Sequence, residues 1–285
     1  MNQNGVLETM TSAYNALTKS GRKVADYIFA HRVEAQYMSI TALAEECGVA
    51  EATISRFCRM LGFSGYNEFK IALAKAGGDA ITDEPGLYGQ VLPGDSISDM
   101  CKKLYAADID AVSETLGQID EESIRRAVDL LTNAQRVYCF GQGGSLVMAM
   151  EAWARFVTAS PQFQVIEDSH MQAMAAALTG PQDVVLFFSY SGATKDMMDV
   201  LRPARLRGAK IILVTHFAKS PAAALADVIL LCGSKEGPLQ SGSVAVKMGL
   251  LFIIDVLFHE YCRRSPARTD ENREATTEAI AGKLL

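Results

Sequence analysis

The chain has 285 residues, is 49% hydrophobic and 21% charged, and carries a formal net charge of −6. That length suits one large domain or two smaller ones with their own cores, and the acidic balance taken alone argues against a nucleic-acid partner. The longest apolar run, MGLLFIIDVLF, is interrupted by Asp255 and too short to span a bilayer, and the start lacks a basic segment ahead of an apolar one, so a cytoplasmic protein with no signal peptide and no membrane partner is expected.

In chain order, residues 1–77 read as short helices joined by tight turns. Ser20 is expected to cap RKVADYIFAHR, with Val24, Ile28 and Phe29 on its apolar side. ITALAEECG, VAEATISRFCRMLG and YNEFKIALAKAG follow, and in the second of these Ile54, Phe57, Cys58 and Leu61 form a stripe at helical spacing. Residues 1–80 hold as many acidic as basic side chains, so the net negative charge belongs to the remainder and a local basic face is possible here. Residues 78–96, rich in Gly, Pro and Asp without periodicity, read as a linker.

From 97 to 265 the pattern changes. Two helical stretches are followed by five short apolar runs, RVYCFG, QFQVIE, DVVLFFS, AKIILVTH and DVILLCG, separated by amphipathic segments. Strands that are apolar on both faces and alternate with helices predict a parallel sheet between helical layers, an α/β sandwich behind an all-helical first domain. GSVAVKMGLLFIIDVLFHEYCRR reads as a long closing helix, and the polar tail 266–285 is expected to be loosely ordered.

The stretch SITALAEECGVAEATISRFCRMLG has helix-turn-helix spacing, with Gly48 near the turn, small Ala44 for close packing, and Leu43, Val49 and Ile54 for a core. Its second helix offers Glu51, Thr53, Ser55, Arg56 and Arg59 to a major groove, while Ser39, Thr41 and Ser64 lie near helix starts where phosphates are met. The alternative is an all-helical interaction domain with solvated arginines. Ala50 stands where a Ser or Thr would cap the second helix better.

Two loops end predicted strands and open helices: FGQGGSL, with Gly143, Gly144 and Ser145, and SYSGATKD, with Ser189, Ser191, Gly192 and Thr194. Ligands of open parallel sheets bind beyond the carboxyl ends of strands, and helix N-termini favour anions, so the pair suits a phosphate. Ordinary glycine turns with capping hydroxyls are the plain alternative. A dinucleotide site is a rival through Gly141, Gly143 and Glu167, but Leu146 occupies the third glycine position. No GK[ST] occurs, which excludes a Walker loop. Six dispersed cysteines and four dispersed histidines give no metal-site spacing, so neither metal nor cofactor is expected. An isomerase would need a base; Glu236, His216 and His259 are the candidates, and none has an evident partner.

The FGQGGS and SYSGATKD loops, with GAKIILVTHFAKSPAAALADVIL, resemble a SIS (sugar isomerase) domain. GRKVADYI and MSITALAEECGVAEATISRFCRMLGFSGYNEFKIALA resemble the N-terminal domain of RpiR-family transcriptional regulators, which pair the two domains in this order. The resemblance implies a bacterial regulator whose sensor domain takes a phosphorylated sugar and modulates binding to a palindromic double-stranded operator, as a homodimer or tetramer without catalysis. It places phosphate on Ser145, Ser189, Ser191 and Thr194 with the backbones of Gly143, Gly144 and Gly192. It turns Gln240, Ser241 and Ser243 toward the sugar, with Glu236 nearby. The start of the last helix reads SGSVAV where many relatives carry an arginine, which leaves the identity of the sugar open.

Overall fold

The computed structural model describes residues 5–77, 91–233 and 243–283. The described chain divides into two compact units, the first running to Ala106 and taking in Ser243, the second made of the remainder from Ala107 onward. In the first unit α1 (Val6–Ala13), α2 (Lys19–Ala30), α3 (Arg32–Ala35), α4 (Ile40–Glu46), α5 (Glu51–Met60) and α6 (Tyr66–Gly77) surround one core. Val24, Ile28, Leu43, Ala44, Ile54, Phe57, Cys58, Phe69 and Leu73 are buried in it, and Val49 packs against it half-buried. The cap of α2 is Thr18, whose Oγ1 accepts the Gly21 N–H at 3.1 Å, so Ser20 lies inside the helix rather than at its start. Phe29, expected inside, is 42% exposed beside Tyr14: it follows Ile28 around the helix and lands beyond the edge of the apolar face.

The turn between α4 and α5 has a definite mechanism. Gly48 has φ +60°, its N–H reaches Glu45 O and the Val49 N–H reaches Ala44 O, which together close α4 with a Schellman motif. The left-handed backbone is one glycine adopts without a Cβ penalty.

Of the expected linker, residues 78–90 lie outside the described residues; Asp95 accepts the Leu92 N–H just ahead of α7 (Ile97–Gln118).

The second unit is a five-stranded parallel sheet in the order β2-β1-β3-β4-β5, with β1 (Arg136–Gly141), β2 (Phe163–Val165), β3 (Asp183–Phe188), β4 (Lys210–Thr215) and β5 (Val228–Leu231). Alternate residues serve opposite faces. Val137, Cys139, Val184, Leu186, Ile212 and Val214 pack with α8 (Glu121–Asn133), α9 (Gly144–Phe156) and α12 (Val244–Arg264). Tyr138, Phe140, Val185, Phe187, Ile211 and Leu213 pack with α10 (Ser169–Ala177) and α11 (Lys195–Leu206). Both faces are thus covered, which explains strands without polar alternation.

Charge pairs pin the amino edge of the sheet. Arg136 grips Asp183 with Nε at 2.9 Å and Nη2 at 2.7 Å, and Asp183 also accepts the Gly180 N–H. Burial pushes the Asp227 carboxyl up, but the Ile211 N–H, Arg205 and Lys210 outweigh it and hold it below its ordinary range. The tail is not loose. Residues Pro266–Ala281 form α13, with proline in the first turn, and Asn272 and Thr276 donate to the carbonyls of Ala159 and Thr158. These two contacts give a polar helix an anchor that composition does not announce.

Candidate functional site

The strand order reverses direction around β1 and β3, and such a switch point opens a crevice at the carboxyl edge of the sheet. The loop after β1 and the loop after β3 flank that crevice on adjacent strands. Both expected anion loops are therefore neighbours in space.

The first loop is held by its backbone. A Cβ on Gly141 would lie 2.5 Å from Ser145 O, so only glycine lets α9 start this close to the strand. Gly143 has φ +56° and caps α9 with no side-chain bond, while the Ser145 and Leu146 N–H groups fold back to Gln142 O and Gly143 O. Gly143 and Gly144 are exposed and have open space where a Cβ would be, so this stretch offers bare backbone.

The second loop is tighter. Ser189 is buried, and its Oγ accepts the Gly192 N–H at 3.2 Å; Ser191 Oγ accepts the Ala193 N–H at 3.3 Å. With the loop's own amides bound to these oxygens, each hydroxyl keeps its proton to offer an anion. Gly192 has φ +59°, and a Cβ there would lie 2.3 Å from Ser220 Oγ. Ala222 N–H donates to Gly192 O and Thr215 Oγ1 to Tyr190 O, so the segment after β4 braces the loop from below. Thr194 caps α11 by position but makes no side-chain cap bond, unlike Thr18, Ser39, Asp120 and Asp168 at the starts of α2, α4, α8 and α10. Among the described residues the hydroxyls of Ser145 and Thr194 have no hydrogen-bond partner. Two helix N-termini and several short neutral donors thus face one crevice, equipment that suits an anion.

Of the residues expected to face a sugar, Glu236, Gln240 and Ser241 lie outside the described residues, and Ser243 is half-buried just before α12. His216 stacks on Tyr190 at 4.9 Å between ring centroids, and its Nδ1 is 2.9 Å from Cys232 O, which makes Nδ1 the protonated nitrogen. His259 is exposed on α12 beside Asp255.

In the helix-turn-helix, Ser39 is spent as the cap of α4, with its Oγ accepting the Ala42 N–H at 3.0 Å, and it is buried. Thr41 donates to Glu51 Oε1, so these two candidates bind each other and tie α4 to the first turn of α5. Ala50 provides no side-chain cap. Arg56 and Arg59 are exposed, Thr53 and Ser55 half-exposed, and Arg56 Nη2 leans on Thr53 Oγ1 at 3.4 Å. Ser64 is exposed, but its N–H donates to Glu68; that bond holds the Glu68 carboxyl below its ordinary range. Sequence reading missed Ala52, which is exposed on the same stripe as Ser55, Arg56 and Arg59; a methyl at this place suits a thymine methyl. Its signal was the spacing alone. Below this surface, Lys70 Nζ and Tyr66 Oη both donate to Met38 O, at 2.8 and 3.1 Å, and burial lowers the lysine to about 8.

A family model described as a helix-turn-helix domain of the rpiR family matches residues 4–78, and one described as a SIS domain matches residues 130–260. An HTH-type transcriptional regulator of Haemophilus influenzae is 32% identical over 254 residues, spanning 89% of this chain and 88% of its own. HexR of Escherichia coli, also an HTH-type transcriptional regulator, is 30% identical over 275 residues, spanning 96% and 94%. The solved structure of Vibrio vulnificus NanR complexed with ManNAc-6P has a TM-score of 0.88 at 28% identity and covers 98% of this chain and 99% of its own. With a helical reading head, a parallel sheet carrying paired glycine loops, and these relatives along nearly its whole length, the chain belongs to the RpiR family of helix-turn-helix transcriptional regulators with a SIS domain.

Proposed function

We propose that this regulator senses a phosphorylated sugar in the crevice at β1 and β3 and alters its operator binding in response. The phosphate is assigned to Ser145, Ser189, Ser191 and Thr194 and to the backbones of Gly143, Gly144 and Gly192. The observation that carries the reading is the placement of two uncapped helix N-termini with short hydroxyl donors on adjacent strands at the switch point. The likeness to NanR, solved with ManNAc-6P, supports the same class of ligand. Ser243 is assigned to the sugar, with Glu236, Gln240 and Ser241. In domain terms the reading head is 1–77, the linker 78–96, the sensor 97–265 and the tail 266–285.

Operator contacts are assigned to Ser55, Arg56, Arg59, Thr53 and Ala52 in the groove, with Glu51 and Thr41 setting the start of α5 and the segments at Ser39 and Ser64 nearest the phosphates. A palindromic operator pairs two reading heads, so a homodimer or tetramer is the working unit. No catalysis is assigned. The support for this is that relatives along nearly the whole chain are transcriptional regulators. A thermal-shift screen of hexose, pentose, amino-sugar and acid-sugar phosphates tests the sensor, since a ligand of the native state raises stability by mass action. Stabilisation by at least one phosphosugar, without its turnover, is expected. Stabilisation by NAD alone, or isomerisation of the stabilising sugar, would overturn the reading.

A further inference from the structure

Helix α7 begins in the first unit and ends in the second. Near its end one side chain stands out. Thr115 is fully buried, and its Oγ1 donates to Ala111 O at 2.7 Å while accepting the Gly233 N–H at 2.9 Å. Packing alone does not call for a hydroxyl inside a helix, whereas an otherwise unpaired buried amide 118 residues away does. Two glycines let the backbones come this close. A Cβ on Gly233 would lie 2.4 Å from Glu114 Cβ, and one on Gly249 of α12 would lie 2.6 Å from Thr115 Oγ1. Gly233 lies two residues beyond β5, at the carboxyl edge of the sheet, and from it an unbroken series of contacts runs back to the anion loop after β3. The Cys232 carbonyl, in the same peptide unit as the Gly233 N–H, accepts from His216 Nδ1 at 2.9 Å. His216 stacks on Tyr190, and its own backbone N–H donates to Tyr190 O at 3.1 Å. Tyr190 stands between Ser189 and Ser191, two of the residues assigned to the phosphate.

We propose, resting on the phosphosugar reading of the crevice, that the Cys232–Gly233 peptide is a relay: it ties the anion loop, through His216, to α7, through Thr115, and passes the loop's ligand state to the helix shared by the two units. A peptide unit is planar, so its carbonyl and its N–H turn together. A shift of Tyr190 carries the stacked His216, and the peptide that His216 holds at one end meets Thr115 at the other. The close approaches at Gly233 and Gly249 leave little room to absorb such a shift locally. Thr115 and His216 are positioning residues in this scheme, since neither is assigned to the ligand or to DNA. Contiguous contacts become coupling only when a change at one end is measurable at the other, and amide exchange reads both ends.

Hydrogen–deuterium exchange of the full chain, with and without ManNAc-6P, glucose 6-phosphate or ribose 5-phosphate, tests this on wild type, T115V, T115S and H216F. T115V keeps the shape and loses the hydroxyl, T115S keeps the hydroxyl, and H216F keeps the ring stack and loses the Nδ1 donor. In wild type at least one phosphosugar is expected to change exchange about threefold or more both in residues 189–194 and in α7. T115V and H216F should keep the loop response and lose the α7 response, while T115S keeps both. The factor by which that phosphosugar shifts affinity for an operator duplex selected in vitro should fall in T115V and H216F from at least about fivefold to under about twofold. If T115V does not fold, H216F carries the test. An α7 response preserved in either folded variant, or a wild-type response confined to the loop, would overturn the relay and leave the phosphosugar site standing. Loss of both responses in T115S would also overturn it, as damage to packing. If no phosphosugar changes the loop in wild type, the sensor reading falls and the relay with it.

Discussion

At Gly192 two constraints meet that no other residue satisfies together: a left-handed φ of +59° and a missing side chain 2.3 Å from where Ser220 Oγ sits. Gly192→Ala is expected to lower stability by about 1–3 kcal/mol through strain and overpacking and to abolish phosphosugar stabilisation in a thermal-shift assay. A variant with wild-type melting and response would show that the loop adapts. Lys70 makes a different prediction. Its folded pKa of about 8 lies below the ordinary lysine value of 10.5, so between those values the unfolded chain binds the extra proton and unfolding free energy rises with pH; below pH 8 the cost of burying the charge is constant. In urea unfolding from pH 7.5 to 10.5, Lys70→Met should show a smaller rise than wild type. Equal slopes would mean that Lys70 stays solvated. Some residues were legible beforehand. The placement of both glycine loops at the carboxyl edge of the sheet announced itself, because each ends an apolar run and opens a helix. Ser20 and Thr18 are equally good caps on paper, and the helix start decides between them.

Helix α5 carries the residues proposed to read nucleic acid. Ala52, Ser55, Arg56 and Arg59 share its outward side, while Ile54, Phe57 and Cys58 fasten the other into the core. The Thr41–Glu51 bond takes over the N-terminal anchoring that Ala50 cannot give. Arg56→Ala is expected to weaken operator binding about tenfold and relax preference at one base pair, whereas an arginine that meets only phosphate would lower the salt slope by about one and leave preference unchanged. Fluorescence anisotropy across salt concentrations separates the two; operator binding unaffected by Arg56→Ala would remove it from the groove. The strands were readable because both faces of a parallel sheet are apolar, and the core stripe of α5 because its spacing is helical. The ordered tail was not, since α13 is polar and two side chain to backbone bonds, not an apolar face, place it.

For the whole molecule, ligand control of transcription requires coupling between sensor and reading head. Coupling is reciprocal: a ligand that changes operator affinity by a given factor must have its own affinity changed by the same factor on DNA. The magnitude expected for such regulators is about 5–150-fold. The most direct measurement is operator affinity, by fluorescence anisotropy, with and without the phosphosugar that stabilises the protein, for wild type and for the Ser189→Ala/Thr194→Ala double variant. Operator affinity should shift at least about fivefold in wild type and not at all in the double variant, with ligand-free operator affinity the same in both. An equal shift in the two proteins, or none in wild type at saturating phosphosugar, would contradict the account.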